Sequence, residues 1–174
     1  MLKVFMNTWG NYNENGAEGG KWITLPMDED ELQETLDEIA EAMGDRDPEW
    51  AIHDYEWEGD IDFGDVNEMD NVFKWNEICE EADDLDGWEL KEVAAAIEAF
   101  GYSFAEAVDR QQRGCFTFYP GQNLVDVAYE IVEDCYFSED VPEVFKNYFD
   151  YEAYARDLGF DGYRETDYGV ICDC

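Results

Sequence analysis

The chain has 174 residues, 46 of them Asp or Glu against 10 Lys or Arg, which gives a formal net charge of -36 at pH 7. Hydrophobic residues make up 45% and aromatic residues 16%, so the acidity does not signal disorder, which requires a shortage of core-forming side chains. The sign of the charge argues against nucleic acid and against an anionic membrane surface as partners, because both would be repelled; a cationic partner is expected.

In chain order, Lys3–Trp9 alternates like a strand, the Gly/Asn-rich residues 11–20 read as a long loop, and Lys21–Pro26 returns as a second strand of a hairpin. Asp28 is placed to cap a helix over 29–43, whose Leu32, Leu36, Ile39 and Met43 form a buried stripe. A third strand at 50–57 completes a small sheet against that helix. Helical spacing follows at 65–82 (Val66, Met69, Val72, Phe73, Cys79) and at 88–100 (Leu90, Val93, Ile97, Phe100), with Gly87 and Gly101 at helix ends. Ser103 and Glu106 form a capping box that opens a helix through Gln112. Residues 115–119 are strand-like and are broken by Pro120-Gly121. A helix over 123–135 turns Leu124, Val127, Ala128 and Ile131 inward. Pro142 suits the first turn of a short helix, Asp150 caps a helix over 151–158, and 168–172 returns to strand. No repeat or low-complexity linker interrupts the pattern. The fold class is α+β, in three small segments: an N-terminal α+β domain at 1–62, a central helical domain at 63–113 and a C-terminal α+β domain at 114–174.

The charge is unevenly spread. Residues 1–27 are neutral, residues 28–98 hold 28 acids and three bases, and residues 99–174 hold 16 acids and five bases. On the 29–43 helix, Asp30, Glu34, Asp37, Glu38 and Glu41 form a ridge opposite the leucines, where neighbours three or four apart lie ~5–6 Å from each other and repel. The ridge lacks the interleaved lysines of an ordinary solvated helix, yet a solvated acidic face still accounts for most helices of this kind. Phosphates along one DNA strand recur at ~3.4 Å of axial rise, so several such ridges together approximate a phosphate track. Further acids cluster at Asp54, Glu56, Glu58, Asp60, Asp62 and Asp65, on a strand end and loop. Another group comprises Glu77, Glu80, Glu81, Asp83, Asp84, Asp86, Glu89 and Glu92, and the 123–135 helix adds Asp126, Glu130, Glu133 and Asp134. Four separate elements of one sign are harder to assign to solvation than one.

Catalytic constellations are missing, so no enzyme activity, cofactor or metal is expected. His53 is the single histidine and reads as a strand residue packed near Trp50 or Tyr55. Carboxylate pairs are too frequent for any one of them to mark an acid/base couple. Asn11, Asn13, Asn15 and Gly16 have EF-hand spacing, but Trp22 stands where a bidentate Glu is required. Cys172-Asp-Cys174 has no CxxC pair or His cluster to complete a metal site. Five cysteines with no secretion signal, the run Met1–Met6 being too short for one, point to reduced thiols in a cytoplasm. No stretch approaches the ~20 apolar residues that span a bilayer.

Three blocks resemble the ArdA family of antirestriction proteins. Gly10-Asn-Tyr12-Asn13 with Gly20-Lys-Trp22-Ile-Thr-Leu25-Pro26 is similar to the family's first hairpin. Ala51-Ile52-His53-Asp54-Tyr55-Glu56 is similar to a second block. Val141-Pro142 with Asn147-Tyr-Phe-Asp150-Tyr151-Glu-Ala153-Tyr-Ala-Arg156-Asp157-Leu158 resembles the family's most recognisable segment. The resemblance implies an elongated three-domain α+β protein, encoded by mobile elements, that forms a homodimer through its C-terminal domain. It implies a mimic of B-form DNA occupying the DNA groove of Type I restriction–modification enzymes, at the methyltransferase core and specificity subunit. The target-binding acids would be Asp30, Glu34, Asp37, Glu38, Glu41, Asp54, Glu56, Glu58, Asp60, Asp62, Glu77, Glu80, Glu81, Asp83, Asp84, Asp86 and Glu89. An antirestriction motif would fall at Asn123–Tyr136, where Asp126, Glu130, Glu133 and Asp134 serve either target binding or dimerisation. A dimer would match the charge of about 120 Å of duplex as an upper bound. Two other readings are an acidic module for a basic host DNA-binding protein unrelated to restriction, and a halophilic enzyme whose acidity serves solubility. The neutral first 27 residues and the missing catalytic set count against the last.

Overall fold

The structure is a computed structural model that describes residues 1–137 and 141–174. By internal contacts the chain divides into two compact units, Met1–Asp86 and Gly87–Cys174. Helices of the expected 63–113 segment occur in both.

In the first unit, β1 (Leu2–Thr8) is central, pairing antiparallel with β2 (Lys21–Leu25) on one side and β3 (Trp50–Trp57) on the other. Leu2, Val4 and Met6 alternate onto the buried face. They meet Leu32, Leu36 and Ile39 of α2 (Glu29–Met43) and Val72 and Cys79 of α3 (Val72–Asp83) in one core. Asp28 accepts the backbone N–H groups of Asp30 and Glu31 and so caps α2 as expected; Met43 lies at the margin of the stripe and Ala40 is buried in addition. Asn76 is 3% exposed and ties α3 to the start of α2: its amide accepts the Met27 N–H at 2.9 Å and donates to the Met27 carbonyl at 2.8 Å.

Two expectations for this unit fail. Trp9, read as the end of a strand, and residues 11–15, read as loop, belong to helix α1 (Trp9–Asn15), capped by the Thr8 hydroxyl accepting from Asn11 N–H. Asn7, Asn11 and Asn15 hydrogen-bond in an i,i+4 ladder along it, which offsets their poor helix propensity. The helix expected over 65–82 begins only at Val72, because Asn71 caps it there. The residues before it run as a loop in which Val66 is buried while Met69 is 74% exposed.

The second unit has a sheet in the order β4-β6-β5, formed by Phe116–Pro120, Gly169–Asp173 and Arg164–Thr166, all antiparallel. The short β5 was not expected. The continuous apolar run of β6 follows from coverage on both faces. Val170 packs with Val127 and Ala128 of α6 (Leu124–Ile131) and Ala155 and Leu158 of α8 (Tyr151–Phe160). On the opposite face, Phe116 and Phe118 meet Phe100 and Trp88 of α4 (Gly87–Phe100). The Ser103–Glu106 capping box opens α5 (Phe104–Gln112) as expected. Gly169 lies opposite Pro120 at φ 138°, where a Cβ would stand 2.3 Å from the Tyr119 carbonyl oxygen, so no other residue fits. The helix expected over 123–135 is α-helical only to Ile131. Val132–Tyr136 widen into a π-helical turn in which Phe137 N–H reaches the Val132 carbonyl. A four-residue helix α7 (Glu143–Lys146) follows Pro142, and Asp150 caps α8 as expected.

Replacing Asn76 with Leu would leave the Met27 N–H and carbonyl unpaired at a buried position. Urea unfolding should show a loss of about 3 kcal/mol with an unchanged m-value. A loss below about 0.5 kcal/mol would show that the Asn76 bridge is dispensable.

Candidate functional site

On α2 the buried stripe dictates where the acids go. With Leu32, Leu36 and Ile39 turned inward, Asp30, Glu34, Asp37, Glu38 and Glu41 are all exposed along the opposite side. Lys21 on β2 reaches Glu38 at 2.8 Å, and this contact holds the Glu38 carboxyl below its ordinary range. Gln33 donates to Asp37 at 2.9 Å. Glu34 and Glu41 have no cation partner among the described residues.

The second group runs along β3 and into the loop. Asp54 and Glu56 are exposed, whereas Glu58 is half-buried and paired with Lys3 at 2.5 Å. That hydrogen bond, with its opposite charge, lowers the Glu58 carboxyl and raises the Lys3 amine. Asp60 and Asp62 lie exposed on the loop, where Asp62 accepts Gly64 N–H at 3.1 Å; Asp65 accepts the Tyr55 hydroxyl at 3.1 Å.

In the third group Glu77, Glu80, Glu81 and Asp83 project from α3, and Asp84 and Asp86 follow it; all are exposed. Glu80 receives a bond from Asn76 at 3.1 Å. Glu89 and Glu92 fall in the second unit on α4, Glu89 half-buried and Glu92 only 9% exposed. Burial raises the Glu92 carboxyl, with a bond from Gln111 opposing, so Glu92 is a core-facing acid rather than part of an exposed track.

The fourth group does mixed work. Asp126 closes a capping box with Asn123, and Glu130 accepts from Gln122 at 2.9 Å. Glu133 accepts the Tyr151 hydroxyl at 2.9 Å and lies 3.5 Å from Lys146, so it joins the π-helical turn to α7 and α8. Partial burial and the Glu133 carboxylate push the Tyr151 hydroxyl up to about 12. Asp134 is exposed. The second unit also exposes apolar side chains that sequence reading did not single out: Val125, Tyr129, Tyr136, Val144, Tyr148 and Phe160. They lie on α6, the π-helical turn, α7, the turn after it and the end of α8, and Val125 and Tyr129 stand four apart on the polar side of α6.

His53 occupies a bulge of β3, since Phe5 pairs with Asp54 and Met6 with Ile52. Its side chain, 2% exposed, stacks on Tyr12 at 3.7 Å, meets Trp9 edge-on at 5.4 Å and lies 3.2 Å from Glu68. These partners come from α1 and the 66–71 loop, not from Trp50 or Tyr55 as the strand pattern suggested. Among the described residues no cluster of His, Cys, Asp or Glu is arranged to hold a metal, and no helix is long and apolar enough to cross a membrane.

Exposed acids of one sign on a capped, packed scaffold direct the comparison with known proteins. The family model described as antirestriction protein (ArdA) matches residues 4–172. The chain belongs to the ArdA family of antirestriction proteins. A search of curated proteins finds no match. The ArdA match spans both compact units, so the acidic first unit and the mixed second unit are parts of one family architecture.

Two outcomes follow from these contacts. Replacing Glu34 and Glu41 with Gln removes like-charge neighbours three and four residues apart, each worth about 0.2–0.5 kcal/mol. The variant should therefore melt at or above the wild-type temperature in dilute buffer, and a clear drop would show that the ridge is not under repulsion. For Glu92 the folded-state carboxyl lies above its ordinary 4.5. The folded state thus holds this proton more tightly than the unfolded chain, and stability falls as pH rises above about 4.5. Glu92→Gln should melt higher than wild type at pH 7 and equal to it at pH 4; a variant less stable at pH 7 would contradict the assignment.

Proposed function

We propose that this antirestriction protein inhibits Type I restriction–modification enzymes by standing in for B-form DNA in their DNA-binding groove. The observation that carries the reading is the first unit's surface. Residues 1–86 hold 27 acids and four bases. The acids of α2, β3 with its loop, and α3 are mostly exposed, on elements fixed by caps and a closed core. A groove that binds duplex is lined with cations, and a folded polyanion enters it without the ordering cost of a flexible one. Base edges have no counterpart here, so competition works through charge and shape and not through sequence readout. The acids assigned to target binding are Asp30, Glu34, Asp37, Glu38, Glu41, Asp54, Glu56, Asp60, Asp62, Glu77, Glu80, Glu81, Asp83, Asp84 and Asp86. Glu58 and Glu89, half-buried, contribute less.

The partner is the methyltransferase core with its specificity subunit. A second copy of the chain pairs through the second unit, supported by the exposed Val125, Tyr129, Tyr136, Val144, Tyr148 and Phe160, which interrupt an otherwise acidic surface. Asp126, Glu130 and Glu133 hold that region's local structure, leaving Asp134 as its freest acid.

A gel-shift competition tests the reading. Purified Type I methyltransferase bound to labelled duplex should release the DNA as the protein is added. The triple variant Glu34→Gln/Asp37→Asn/Glu41→Gln should need about tenfold more protein, three exposed charges being worth roughly 0.5 kcal/mol each. Inhibition that persists with the groove saturated by DNA would overturn the mechanism.

A further inference from the structure

We propose that Cys115 and Cys174 are a redox pair, forming a reversible disulfide that fastens the end of the second unit's sheet. Along β4 and β6, Phe116 stands opposite Asp173 and Thr117 opposite Cys172. One step outward in the same register sets Cys115 opposite Cys174, and the Cys174 N–H donates to the Cys115 carbonyl at 2.7 Å. The Cys115 N–H turns instead to the Arg110 carbonyl at 3.0 Å, so the two cysteines share one hydrogen bond just beyond the paired residues. Opposed residues of an antiparallel ladder have Cα atoms about 4.5–5.5 Å apart, inside the roughly 4.4–6.8 Å that a disulfide spans. Continued one residue past the end of each strand, side-chain alternation puts both cysteines on the face of Thr117 and Cys172. The Cys174 sulfur lies 3.3 Å from the hydroxyl of Thr117, two residues along β4 from Cys115, and so occupies that face.

The other cysteines lack this combination of register and access. Cys79 is buried in the first unit, where burial pushes its thiol up to about 11, and Cys135 stands exposed on the π-helical turn. Cys172 shares the face but is buried, and burial raises its thiol as well. Cys174 is exposed and Cys115 partly so. Both are reduced in this structure.

The oxidant required is a low-molecular-weight disulfide such as glutathione disulfide. The thiolate of one cysteine attacks a sulfur of the oxidant, expelling one small thiolate and leaving a mixed disulfide on the protein. The second cysteine's thiolate then attacks the protein sulfur of that bond and expels the other small thiolate. Two cysteine thiols lose two protons and two electrons, and one small disulfide becomes two thiols. The bond closes a loop of about 60 residues, which restricts the unfolded chain and stabilises the unit.

The test incubates the full chain in a glutathione buffer dominated by the disulfide form, blocks free thiols, and maps peptides without reduction. A Cys115–Cys174 linked peptide should appear, and the melting temperature should rise by at least about 5 °C and return on reduction. Cys172→Ser should keep both effects, while Cys115→Ser and Cys174→Ser should each lose both and melt like the reduced protein. Glutathione adducts alone, a Cys172–Cys174 link, or unchanged melting on oxidation would overturn the proposal.

Discussion

The constraint on which the rest of this structure depends is repulsion among like charges that no partner within the chain neutralises. Ten bases cannot balance 46 acids, and several of those bases are committed to particular contacts. Lys3 holds Glu58, Lys21 holds Glu38, Lys146 lies beside Glu133, and Arg110 bonds to Asp173 while packing over the rings of Tyr102 and Phe116. Each element must therefore place nearly all its acids on one side and anchor the other side apolarly. That is why α2 carries acids on its outer side and a leucine stripe on its inner one, and why each unit has its own sheet-and-helix core.

The same constraint explains the density of local devices. Asp28, Asn71, Ser103, Asn123 and Asp150 each cap a helix with a side chain, and two of them do so in capping boxes. A cap is worth roughly 1 kcal/mol, and like-charge pairs on an exposed helix cost a few tenths each, so caps are of the right size to hold such helices against their own surface charge. Acids that double as caps or braces, such as Asp126 and Glu133, support the scaffold. Acids such as Glu34 and Glu41 have no cation partner among the described residues, and they are the ones the proposed function assigns to a target.

How much of this was legible in the sequence depends on the range of the interaction involved. α2 could be read to its ends because Asp28 and the apolar spacing from Leu32 to Met43 are local signals, and the α5 capping box could be read for the same reason. The family, too, was legible from short blocks in order along the chain. Helix α1 was hidden because Asn and Gly argue for a loop, and the signal that outweighs them is the four-residue spacing of Asn7, Asn11 and Asn15. Val66 and Met69 mimicked a helical stripe before Asn71, but the loop buries one and exposes the other. The π-helical turn at Val132–Tyr136 and the neighbours of His53 depend on contacts distant in sequence, with no local pattern to announce them. Among the acids, composition identified the groups but not their duties: that Glu92 faces the core and Glu133 braces Tyr151 required the packed structure.

The central claim is that fixed surface carboxylates, rather than a specific apolar contact, hold the target. The measurement that tests it most directly is the equilibrium affinity for a purified Type I methyltransferase as a function of salt, with duplex DNA measured alongside. Between about 50 and 200 mM salt both affinities should fall steeply and linearly on a log–log plot, with slopes of the same sign. An affinity for the protein that stays flat across that range, while the DNA affinity falls, would contradict the account.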